Sequence, residues 1–224
     1  SSVIHDEVPG QTLTASFPEN DNTWRASGKD HGGNEYKPDP ASITAFALAI
    51  HDPDDIWEVK VFPSRPSPKT NWPEQEVSVE TGYVMVGGGA YADWTGDGSM
   101  LFASYPMDKT TWRAQSKDHI KADPAKISAY AIGLKCKVAG VKVLSEIAIG
   151  KSNKSNRPQA TIAPPGGYKM VGGGSKITFD KDGVMLYASF PTESNQWEGR
   201  GKDHLVADSA RVDVYCIGVK VVDA

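Results

Sequence analysis

Cysteine is scarce in this sequence. Cys136 and Cys216 are the only two in 224 residues, too few for a disulfide scaffold and without the spacing of a metal site. Both sit in apolar, strand-like contexts, which points to two buried thiols before one bridge. Long apolar runs are missing too: the longest clean stretches have the length of a strand, well short of a membrane helix. Positive charge is not in excess either. Twenty-four Lys and Arg stand against 28 Asp and Glu, for a formal charge of -4 and a pI near 5.7. Nothing therefore draws the chain generally to nucleic-acid phosphates or anionic lipid, and no nucleic-acid partner is expected. The opening SSVIHDEVPG lacks the basic start and apolar stretch of a secretory signal.

What the chain does have is turn residues, 22 Gly and 15 Pro, with 39% hydrophobic residues, a composition of a turn-rich globular protein. It also repeats itself. Leu13–His31, Leu101–His119 and Leu186–His204 overlay without a gap, as LTASFPENDNTWRASGKDH, LFASYPMDKTTWRAQSKDH and LYASFPTESNQWEGRGKDH. The closing histidines are 88 and 85 residues apart, so each unit is long enough for several strands. A second shared element follows, ITAFALAI, ISAYAIGL and VDVYCIGV, in which Phe46, Tyr130 and Tyr215 correspond. The first copy carries a four-residue insertion before it, GGNEYKPDP against IKADP. DPASITAFALAI alone could open a helix. The third copy argues for a strand instead, because Tyr215, Ile217, Val219 and Val221 alternate at period two in a β-branched run.

A third element, GYVMVGGGA at Gly82 to Ala90 and GYKMVGGGS at Gly167 to Ser175, has no complete counterpart in the first copy. Counting back from Leu13 places Ser1 opposite Gly174. The first repeat is thus truncated at its N-terminal side, and the polypeptide is expected to extend upstream with a stretch like GYxMVGG, which would leave an edge unpaired if lost.

These signals predict an all-β domain of three internal repeats, 1–62, 77–143 and 162–224, each of about four antiparallel strands, related by pseudo-threefold symmetry. Exposed Pro-rich loops join them at 63–76 and 151–161. The triple glycines would let the sheets approach closely. In repeat number and strand count this architecture resembles the β-prism proteins, the jacalin-type lectins and vitelline membrane outer layer proteins. Prism-like modules also occur on secreted bacterial toxins and hydrolases, which they direct to glycans or membranes. The resemblance implies a secreted or extracellular binding module. No jacalin sugar-binding signature is readable here, so it implies a class of ligand and not a site.

Two kinds of candidate residue stand out. The first are kept in every copy: Trp24, Trp112 and Trp197, and the trios Lys29, Asp30, His31; Lys117, Asp118, His119; Lys202, Asp203, His204. As struts, the Trp would fill each unit's core and the Asp would fix a loop. As replicated carbohydrate sites, the Trp face would cover sugar C–H groups while Asp and His bind hydroxyls. The retained lysines speak for sites, since burying one is costly and an exposed one has no structural reason to be kept. The second kind are loop residues: Arg65, Lys69, Lys151, Lys154 and Arg157 bring local positive charge and Trp72 an aromatic anchor, a pattern for a membrane or receptor contact.

Other chemistry fares worse. DWTGDGS (Asp93, Asp97) and FDKDGV (Asp180, Asp182) do not complete a calcium loop and read as Asp-Gly hairpin turns. No metal or cofactor is expected. VGGGA is followed by neither a helix nor a Lys-Ser/Thr pair, so it is no phosphate loop. A nucleophile elbow is missing, and three equal copies of a candidate pair do not look like one asymmetric active site. The expected function is thus a lectin-like module with replicated weak sites and no enzyme activity. The alternatives are a membrane- or receptor-docking domain of a toxin or secreted hydrolase, and a structural coat or matrix domain without ligand; the partners to expect are a cell-surface glycan, a membrane or a receptor, and an upstream domain of a longer precursor.

Overall fold

The computed structural model describes residues 1–5, 10–30, 40–181, 183–204 and 207–223. Within them the chain is all-β, with sixteen strands in three antiparallel sheets. The first copy supplies β1 (Ser2–His5), β2 (Gln11–Asn20), β3 (Thr23–Asp30), β4 (Ser42–Ala45) and β5 (Trp57–Pro63). The second supplies β6 (Glu74–Ser78), β7 (Val84–Asp93), β8 (Ser99–Pro106), β9 (Thr111–Asp118), β10 (Lys126–Cys136) and β11 (Val141–Lys151). The third supplies β12 (Gln159–Ile162), β13 (Lys169–Thr178), β14 (Val184–Pro191), β15 (Trp197–Asp203) and β16 (Arg211–Asp223).

The sheets do not coincide with the repeats. Their orders are β12-β15-β14-β1-β4, β3-β2-β7-β10-β5 and β11-β16-β13-β8-β9-β6. Each copy's middle strands form a hairpin (β2–β3, β8–β9, β14–β15). Its first and fourth strands pair with each other (β1–β4, β7–β10, β13–β16) in a neighbouring sheet. The joint between the two halves recurs: Tyr91 pairs with Ala15, Lys176 with Ala103 and Val3 with Ala188.

This arrangement corrects the hairpin reading of the Asp-Gly turns. Thr95–Gly98 carries the chain from β7 in the second sheet to β8 in the third, so it is a corner and not a hairpin. The Asp123 carboxylate holds that corner by accepting N–H bonds from Gly96 at 2.8 Å and Ser99 at 3.0 Å. The inter-repeat loops are also more regular than expected. Ser64, Ser67 and Thr70 donate backbone N–H groups to Ala129, Ile127 and Ala125, and Ser152 and Ser155 to Val212 and Ala210. Residues 74–76 and 159–161 already belong to β6 and β12. Each connection therefore runs along one sheet and ends as an edge strand of the next. His31, Asp182 and residues 32–39 of the first-copy insertion lie outside the described residues.

The main core draws on all three sheets, with Ile4, Leu13, Met85, Leu101, Trp112, Ile127 and Ile217 buried together. The middle glycine of each triplet makes room for a tryptophan. A Cβ on Gly88 would fall 2.3 Å from the Trp112 ring, and one on Gly173 would fall 2.4 Å from the Trp197 ring, so only glycine fits.

Candidate functional site

Each retained tryptophan is built in the same way. Its indole N–H donates to a serine hydroxyl eight residues earlier: Trp24 to Ser16 (3.0 Å), Trp112 to Ser104 (3.1 Å) and Trp197 to Ser189 (3.0 Å). Trp112 is 1% exposed and Trp197 4%, while Trp24 is only half-buried. A buried Trp with its N–H satisfied is a packing element; the faces of Trp112 and Trp197 are turned inward.

The lysines of the trios are buried as well, Lys117 completely. Lys29 reaches from the first copy into the second. Its Nζ donates to the Gly96 carbonyl at 2.8 Å, lies 3.4 Å from the Asp123 carboxylate, and sits 4.0 Å from the centre of the Trp94 ring. Lys117 reaches in the same way from the second copy to the third, 3.6 Å above Phe179. Lys202 lies 5.2 Å from the Tyr187 ring. At Lys29 such partners answer the objection that burying a lysine is costly: carboxylate, carbonyl and aromatic face together replace its water. Burial still holds the Lys29 ammonium below its usual pKa, with Asp123 opposing.

Asp118, His119 and His204 extend the same network. The Asp118 carboxylate accepts the Asp123 N–H at 2.9 Å. Burial keeps its pKa above the ordinary value, the Asp123 N–H opposing and the neighbouring Asp123 charge adding to the rise. Burial also pushes on Asp123, but the N–H groups of Ser99 and Gly96 and the nearby Lys29 outweigh it and leave that carboxyl low. His119 donates from Nε2 to the His204 carbonyl at 2.8 Å, and the two rings are 6.0 Å apart. Desolvation, then the neighbouring His119 and Lys202, depress His204 to about 4, so it is neutral at pH 7. Asp30 and Asp203 are half-buried. Lys29, Lys117 and His119 thus tie consecutive copies together, the part of a strut rather than of a sugar-binding cluster.

Sequence reading missed the partners. Asp123 and Asp208 each follow a KDH histidine by four residues, a spacing that could have marked them. Trp94 and Phe179, one residue into matching turns, were the aromatic half of the signal. The cysteines are unbridged, and burial raises the Cys216 thiol to about 12.

The loop residues lie at the surface. Arg65, Lys69, Lys151, Lys154 and Arg157 are exposed, and Trp72 is 50% exposed, leaning on Phe102 and Phe179 at 6.2 and 6.1 Å. Lys154 is ion-paired with Asp180, so its charge is partly spent within the protein. Around this pair lies an open cavity of about 240 Å3, lined by Lys154, Asn156, Asp180, Lys181, Ala207, Asp208 and Ser209. Ser209 donates its hydroxyl to the Asn156 side-chain oxygen at 2.8 Å. No family model matches the chain, and no curated protein is found similar to it.

Proposed function

We propose that this chain is a non-catalytic, extracellular binding module of prism-like, pseudo-threefold architecture, and that its ligand is carbohydrate, taken at the loop cavity of the third copy. The symmetry is supported by aromatic pairs that recur between copies: Phe17 on Tyr130, Tyr105 on Tyr215 and Phe190 on Phe46, stacked at 4.9, 5.0 and 5.4 Å. These are corresponding residues of the second strand and of the fourth, Phe46 standing one residue past β4, each copy matched to the next and the third to the first.

The cavity carries the ligand assignment. It is shallow, open and lined by an amide, carboxylates, a hydroxyl and ammonium groups, which together can donate to and accept from vicinal hydroxyls. The trios offer no comparable surface. A glycan array of the unmodified chain is the test. Binding that weakens about tenfold or more in Asn156→Ala, while Asp203→Asn binds normally once folded, supports the cavity; a blank array retires the carbohydrate reading.

A second reading has one observation of its own. Trp72 is a half-exposed indole on an aromatic base, with Arg65 and Lys69 exposed on the same loop, an arrangement suited to a membrane or receptor. Liposome binding lost in Trp72→Ser would favour it, and inertness toward both glycans and lipids would leave a structural domain.

A further inference from the structure

The third sheet is covered at both edges, by β11 and β6, whereas each of the others has one such cover: β12 on the first sheet, β5 on the second. The two remaining edges are those of β3 and β4, at the same corner. Glu74–Ser78 pairs with Thr111–Gln115 of β9, and Gln159–Ile162 with Trp197–Arg200 of β15. The matching stretch of β3 is Thr23–Ser27, and among the described residues no strand pairs with its outer side. Likewise β5 and β11 run along β10 and β16, while the outer side of β4 is open among the described residues.

The side chains there are correspondingly bare. Ile127 and Val212 are fully buried, and their counterpart Ile43 is 39% exposed. Leu48 and Ile50 are 49% and 40% exposed, on a stretch that forms no strand, although its counterparts in β10 and β16 do. Open backbone edges beside an apolar surface are a template for added strands.

We infer that this corner is a strand-docking site, and that its occupant is an extended polypeptide segment with the pattern of residues 141–162. The two filled corners specify that pattern. Each is spanned by an alternating strand along the fourth strand of a copy, a polar Pro-containing connection, and a short second strand beside the tryptophan strand. The second strand presents an apolar residue to the indole strand, with Val77 opposite Trp112 and Ile162 opposite Trp197. An equivalent segment at the open corner would pair with β4 and β3 together and cover Ile43 and Trp24. This inference is independent of the carbohydrate reading.

A synthetic peptide of residues 141–162, VKVLSEIAIGKSNKSNRPQATI, titrated into the intact chain tests it, with a scrambled peptide as control. The expected result is saturable binding of one peptide per chain, with hydrogen exchange slowed at least tenfold in 23–27 and 43–50. Ile43→Glu and, separately, Leu48→Glu should each weaken binding tenfold or more, and a free-chain spectrum equal to the parent's shows that the fold survives. Three outcomes overturn the proposal. One is no saturable binding. Another is protection confined to β15 and β16, meaning that the peptide displaces its own original. The last is a free chain that is dimeric and becomes monomeric in Ile43→Glu, which would give the face to a second copy.

Discussion

The fourth-strand segments of the first and second copies are alike in character, residue for residue, and opposite in environment. ISAYAIGL lies within β10, with strands on both sides and its apolar residues largely buried, whereas ITAFALAI contributes only the short β4 and then leaves the sheet, its Ile43, Leu48 and Ile50 exposed. Intrinsic preference is shared, so it cannot explain the difference; neighbours do. A strand is completed by the edges beside it and by what covers its face; in the second copy the fourth strand has β5 and β7 beside it and β6 and β9 against it, where among the described residues the first copy's has β1 beside it and β3 against it.

That contrast can be broken or sharpened by measurement. The largest effect is expected at the tryptophans. Trp112→Ala should lower the unfolding free energy by about 3–5 kcal/mol, since it empties the core above Gly88 and leaves the Ser104 hydroxyl without its donor. Trp24→Ala, half-buried beside an open edge, should cost about 1–2 kcal/mol. Equal losses in chemical denaturation would mean that the two sites are covered alike. Next come the isoleucines. Ile127→Ala should cost about 2–4 kcal/mol, and Ile43→Ala should stay within about 0.5 kcal/mol; a large loss at Ile43 would contradict its exposure.

The third measurement concerns acid. His204 has a folded pKa of about 4 against 6.5 for the free side chain, so the unfolded chain takes up its proton first. Its contribution is whole above about pH 6.5 and is lost as pH falls through about 4, roughly 3 kcal/mol in all. His204→Asn should flatten that part of a stability-against-pH curve. A slope unchanged by the substitution would assign the acid sensitivity to other groups.

Much of this was legible in the residues. The ungapped repeat, the strand character of ISAYAIGL and VDVYCIGV, and the close approach allowed by the glycines are written in spacing and period. What was not legible is which strand lies beside which. Periodicity is a property within a segment, whereas pairing joins segments far apart, and so the Asp-Gly turns read as hairpins when they are corners. Lys29 and Lys117 were misread for the same reason. A lysine looks solvent-seeking until the following copy is placed around it, Asp123 and the Trp94 ring at Lys29 and the Phe179 ring at Lys117, and the lysine's own KDH does not announce them. The cavity at Asn156, Asp180 and Ser209 is assembled from three distant segments and could not have been found from any one of them.

The pairing of β1 with β14 sets Ser2 against Ser189 and Val3 against Ala188, so the start of the chain is held by its last copy. For a chain finding its native state, this is the contact that must wait. The hairpins form from near neighbours, but bringing these two strands together closes a loop that runs from Ser2 to Ser189, and contacts so distant in sequence slow folding. The first copy is made before the other two; its β2, β3 and β5 can complete their sheet with β7 and β10 once the second copy has emerged, but β1 and β4 have only each other until the third supplies β14, an interval in which their bare edges are open to other chains.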